Sequence, residues 1–180
     1  MDSTGVYLTF DHGKCAEAFK FYETVFAKKT SVSMTYGNSP MAAQVPKEAH
    51  GMTLHTSLEL APRFMLMGCD RNPVMHKQPY STGNHVTVSL TPKTHMETER
   101  LFEALAKGGQ VLMPLGKQFW GSLFGTVTDQ YGVQWMFDYP LEQSDGDNKK
   151  DEEKEDQATP KHSLDKNSVD ETSPAKKAKA

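Results

Sequence analysis

An internal repeat constrains this chain more than any other feature. Displacing the sequence by about 80 residues sets Val6-Tyr7-Leu8-Thr9-Phe10 against Val86-Thr87-Val88-Ser89-Leu90. Both segments alternate apolar residues with smaller or polar ones, the pattern of a half-buried strand. The same displacement lays Lys14 to Phe26 over Thr94 to Lys107 and pairs Phe21 with Leu101, Tyr22 with Phe102 and Val25 with Leu105. Residues at those spacings share one face of a helix. Thr94 followed by Glu97 reads as a capping box, and Gly108-Gly109 supplies the left-handed residue that ends a helix. Further strands are predicted at 30–35, 53–60 and 63–68 in the first half, then at 110–113, 122–128 and 133–139 in the second. The unit is βαβββ, used twice. The predicted fold class is α+β, with modules at about 6–68 and 86–139 inside a domain spanning 1–142.

A chain with 37% hydrophobic and 24% charged residues can build an ordinary core, but these residues are not spread evenly. From Gln143 onward only Leu164 and Val169 could anchor packing. Ordering a residue costs about 1 to 2 kcal/mol, while burying one aliphatic side chain returns about 1.5 to 3 kcal/mol. Residues 143–180 are therefore predicted to be a disordered, charged tail. Its Lys176, Lys177 and Lys179 could contact nucleic acid or direct the chain to the nucleus, or simply form a solvated end. The formal charge of −3 and pI near 6.2 give the domain no basic character that would suit nucleic acid. No run of about 18 apolar residues and no leader-like start are present, so no membrane partner is expected and the expected address is cytoplasmic. Cys15 and Cys69 lack both a disulfide framework and a CxxC spacing, and read as free thiols.

Several segments carry a family likeness: Phe21-Tyr22, Met34-Thr35-Tyr36-Gly37, Leu54-His55-Thr56-Ser57-Leu58, Phe119-Trp120-Gly121 with Phe124-Gly125, and Thr128 to Met136. Together they resemble the PhnB-like branch of the glyoxalase, bleomycin-resistance and dioxygenase superfamily, the vicinal oxygen chelate proteins, from Val6 to Tyr139. The resemblance implies paired βαβββ modules forming a curved sheet around a cavity, usually in a homodimer. Metal-using members hold their ion at four cavity-facing positions, which fall here at Tyr7, near Met67, at His85 and at Met136. Only His85 suits zinc or nickel, because a phenol and two thioethers are poor ligands for such ions. No cofactor is expected, and a divalent metal only if His55, Glu59 and His85 form an alternative site.

Strand alternation gives the cavity lining independently. If Val6, Leu8 and Phe10 pack under a helix, Tyr7 and Thr9 face the other way. So do His55, Ser57 and Glu59; His85, Thr87 and Ser89; and Gln134, Met136 and Asp138. With Met65 and Met67, this face mixes soft apolar area with hydrogen-bonding groups, as small-molecule pockets do. Tyr7, Thr9, Ser57, Met67, Thr87, Gln134 and Met136 are the candidate ligand contacts. Phe119 and Trp120, beside Gly121, either stack on a ligand or fill a core or dimer seam. His55 and His85, with Glu59, are the candidate catalytic groups, since imidazole titrates near neutrality; otherwise each is a hydrogen-bonded histidine in a polar cleft. The expected function is binding of a small organic molecule in a metal-poor cavity, with the reaction undefined. The alternatives are a metal-dependent lyase, isomerase or dioxygenase, and a non-catalytic interaction module directed by its tail. No glycine-rich strand-to-helix loop for an adenosyl cofactor is visible, so methyl transfer finds no support in the residues.

Overall fold

A computed structural model describes residues 2–141 apart from 73 and 75. The segment 143–180, including Lys176, Lys177 and Lys179, lies outside the described residues. Among them no helix is long and apolar enough to cross a membrane.

The first half runs β1 (Thr4–Phe10), α1 (Cys15–Phe26), β2 (Val32–Thr35), two short 3-10 turns at Ala42–Gln44 and Lys47–Ala49, β3 (Thr53–Ala61) and β4 (Phe64–Asp70). The second runs β5 (Val88–Leu90), α2 (His95–Ala106), β6 (Gln110–Lys117), β7 (Ser122–Thr128) and β8 (Gln134–Pro140). Each half makes a four-stranded mixed sheet, ordered β1-β4-β3-β2 and β5-β8-β7-β6. In both, the first strand lies parallel to the last and the remaining pairs are antiparallel. The α+β fold with two βαβββ modules is therefore present.

One core serves both halves. Phe10, Phe19, Tyr22, Leu58 and Leu66 of the first module join Val88, Leu101, Phe102, Leu105, Val127, Trp135 and Phe137 of the second in a single buried cluster. Neither module could hide that apolar face alone. The repeat persists in packing: Ala18, Tyr22 and Val25 are buried on α1 where Thr98, Phe102 and Leu105 are buried on α2.

The helix starts differ. Thr94 Oγ1 accepts from Glu97 N at 3.1 Å, as the sequence predicts, but the Glu97 carboxylate reaches back to Lys93 N at 3.0 Å. The first turn of α1 has no such cap; Asp70, from the end of β4, accepts from Cys15 N at 2.8 Å and Thr53 N at 2.7 Å. A carboxylate at a helix N-terminus satisfies an orphan N–H and favours the dipole.

Three segments depart from the sequence reading. β5 begins at Val88 rather than Val86, leaving the turn-forming Gly83-Asn84 and the exposed His85, Val86 and Thr87 ahead of the strand. β6 continues past Met113 to Lys117, because an edge strand tolerates Pro114 where the register shifts. Between β2 and β3, Tyr36, Val45 and Ala49 form a second small core that periodicity does not reveal.

Candidate functional site

Cross-strand register fixes the sheet face that points away from the helices. In the first module Tyr7 pairs with Met67, Met67 with Ser57 and Ser57 with Val32, while His55 pairs with Met34. Paired residues share a face, so Tyr7, Thr9, His55, Ser57, Glu59, Met65 and Met67 stand where alternation predicts. In the second module Ser89, Met136, Thr126 and Met113 form the corresponding row. Gln134 accepts from Thr87 Oγ1 at 3.3 Å.

Within this face, Tyr7 Oη lies 3.2 Å from His55 Nδ1, and the rings stack with centroids 5.7 Å apart. Burial, and then the neighbouring Cys69 thiol, push the Tyr7 phenol well above its ordinary pKa, so it keeps its proton. Thr9 Oγ1 sits 4.0 Å from Cys69 Sγ. Ser57 is buried and shares a 2.9 Å hydrogen bond with Ser31. Glu59 is exposed and accepts from Arg63 N at 3.3 Å.

His55, Glu59 and His85 form no metal-holding group. Among the described residues no three His, Cys, Asp or Glu side chains converge in a way that could hold a metal ion. Phe119 and Trp120 occupy the turn between β6 and β7, stacked edge to face at 4.8 Å, with Phe119 96% exposed. Among the described residues they lie outside the buried core clusters. Their turn is closed by Gly121 N donating to Gln118 O at 3.0 Å.

The cavity, about 640 Å³, lies where the free edge of β1 faces β5 and β8. Of the candidate contacts it takes in Tyr7, Thr9 and Gln134. The other wall comes from Arg71 and from His76 to Gly83, in the connection between the modules. That segment is strapped down: Arg71 N donates to Phe10 O at 2.7 Å, Arg71 Nη2 donates to His76 O at 3.0 Å and also to Gln78 O, and Tyr80 Oη donates to Thr9 O at 3.2 Å. His76 is half-buried, its Nδ1 meeting Asn72 N at 3.1 Å. No periodicity marks Arg71, His76 or Tyr80, because their role comes from chain closure across the module junction. The only signal was the clustering of basic and aromatic residues in that connection.

A family model described as 3-demethylubiquinone-9 3-methyltransferase matches residues 3–137. Protein YjdN of Escherichia coli strain K12 is 30% identical over 145 residues, covering 76% of this chain and 95% of YjdN. The crystal structure of protein PA1353 from Pseudomonas aeruginosa is 35% identical, covers 77% of this chain and 98% of its own, and has a TM-score of 0.67. A PhnB protein from Bacillus cereus shares the fold at 24% identity and a TM-score of 0.61, over 76% of this chain and 98% of its own. Matches over nearly the whole folded unit, together with the paired βαβββ architecture, mean that the chain belongs to the PhnB-like branch of the vicinal oxygen chelate superfamily.

Proposed function

We propose that this protein binds a small organic molecule in the cavity between its modules, as a homodimer. The observation that carries the reading is the cavity itself: its volume of about 640 Å³ suits a small ligand, and its wall combines Val6, Leu8 and Val88 with Thr9, Tyr7 and Gln134. Tyr7 also shares a hydrogen bond with His55, so a proton-transfer step on the bound molecule would run through that pair. The family description as a methyltransferase adds no activity to this site. The β1–α1 turn reads Asp11-His12-Gly13-Lys14, without a glycine-rich phosphate loop, and neither sheet is a doubly wound parallel one.

Native mass spectrometry of the purified protein tests the reading. A bound mass at one equivalent per chain is expected, and Thr9→Trp, which places an indole in the cavity, should abolish it. A bare wild-type spectrum, with no thermal stabilisation from a broad small-molecule panel, would overturn the proposal. His55→Gln should keep the ligand and lose any turnover of it.

A further inference from the structure

We propose that the ligand of this cavity is an anion, an acidic headgroup on an apolar body, and that Arg71 and Lys77 select it. The proposal rests on the reading that the cavity holds a small molecule, and adds the charge class of that molecule.

The cavity wall includes Arg71, His76 and Lys77 but neither Asp nor Glu, although the whole chain carries more acidic than basic residues, 23 against 20. A cleft lined by one sign of charge concentrates ligands of the other. Arg71 is half-buried, and among the described residues the ion pairs are His12 with Asp11, Lys14 with Glu17, Lys29 with Glu23 and His95 with Glu99. None of them neutralises Arg71. Its Nη2 holds the strap carbonyls of His76 and Gln78, while Nε and Nη1 make no hydrogen bond to the described residues. A guanidinium presents five N–H donors, so the strap uses only part of that capacity. A half-buried cation without a counter-ion is stabilised by any anion that reaches it.

The three phenols of the wall are already engaged. Tyr7 Oη is tied to His55, Tyr80 Oη donates to Thr9 O, and Tyr131 Oη donates to Glu17 at 3.2 Å. Glu17 is itself held by Lys14 at 2.7 Å. Burial, and then the Asp11 charge, raise the Tyr80 phenol, and Asp11 accepts from His12 N at 3.0 Å. The three phenols therefore offer ring surface to a ligand, and the charged donors of the wall, Arg71 and Lys77, stand beside the neutral hydroxyls and amides of Gln78, Ser81, Thr82 and Gln134. Ring and aliphatic area on one side with uncommitted cations on the other fits an apolar body bearing a carboxylate, sulfonate or phosphate.

A matched pair of fluorescent probes tests the charge alone: 8-anilinonaphthalene-1-sulfonate and the neutral N-phenyl-1-naphthylamine, which share one ring system. The sulfonate should bind the wild-type chain about fivefold or more tightly than the neutral probe, the size of one modest ion pair. Lys77→Glu should remove that preference while leaving the neutral probe unchanged. Lys28→Glu, on the exposed turn after α1 and away from the cavity, should alter neither. Thr9→Trp should weaken both. Equal affinities in the wild type, or an unaltered preference in Lys77→Glu, would overturn anion selection while leaving the cavity reading intact. Failure of both probes, or binding indifferent to Thr9→Trp, would instead overturn the cavity reading and this inference with it.

Discussion

Asp129 joins the two modules through one buried carboxylate. Its Oδ2 accepts from Tyr22 Oη at 2.8 Å and from Trp135 Nε1 at 2.9 Å, and its Oδ1 accepts from Tyr131 N at 2.8 Å and Val133 N at 3.0 Å. Tyr22 lies on α1 and Trp135 on β8, so the contact spans the repeat. In Asp129→Asn one side-chain atom becomes a donor facing donors, and the charge that strengthens four hydrogen bonds is lost. Urea denaturation should show a loss of about 2 to 4 kcal/mol, above the usual cost of one surface polar group. The same network contributes to the pH dependence of stability on the alkaline side. Burial, and then the nearby Asp129 charge, hold the Tyr22 phenol well above its usual pKa, while burial and Glu17 push Tyr131 to about 12. Between pH 10 and 12 the folded chain thus retains phenol protons that the unfolded chain has lost. Stability is full below the unfolded tyrosine pKa and falls as pH rises through that window. Denaturation midpoints across the range should fall less steeply in Tyr131→Phe; an identical slope would remove Tyr131 from the explanation.

Between residues and folds, the ends and undersides of the helices carry the cost. Ala27 closes α1 in the left-handed region, φ 50°, with its N–H turned back to Glu23 O and Thr24 O. A residue with a Cβ is strained there, so Ala27→Gly should raise stability by about 0.5 to 1 kcal/mol despite the added freedom of the unfolded chain. Gly125 lies beneath α2, where a Cβ would approach Phe102 Cε2 and Leu115 Cα to 2.9 Å. Leu115 is backbone and cannot rotate away, so Gly125→Ala should cost about 1 to 3 kcal/mol, read as a lowered midpoint with an unchanged m-value. The sequence exposes the helices and the inner strands because a period of 3.6 or 2 repeats over enough residues to be seen. It does not expose the start of β5, where His85-Val86-Thr87 alternates like a strand but has no neighbour to pair with. It is equally silent on Asp70 and Asp129, whose donors are brought to them from distant parts of the chain, and on the strap from Arg71 to Tyr80.

At the scale of the whole molecule, two sheets cover one shared core with one face each and leave the opposite faces open. The first open face shows Tyr7, Val32 and Met34, the second shows Met113, and the β6–β7 turn holds Phe119 and Trp120 out from the chain. This orientation was legible in the alternation of each strand, whereas the fate of Phe119 and Trp120 was not, because a loop has no period to say which way it faces. An apolar surface of this kind calls for a partner. A second copy fits the proposed homodimer, since a two-fold axis lets the same patch serve both protomers. A stable interface needs about 800 Å² from each, and two adjoining aromatic rings with a sheet face can supply the desolvated centre such interfaces use. Light scattering at micromolar concentration should therefore give about twice the 20.1 kDa chain mass. Phe119→Ser with Trp120→Ser should shift the mass toward one chain while leaving the fold intact by circular dichroism, because neither residue belongs to the shared core. A wild-type mass of one chain would remove the homodimer. A dimeric double variant would keep it and move its seam away from the β6–β7 turn.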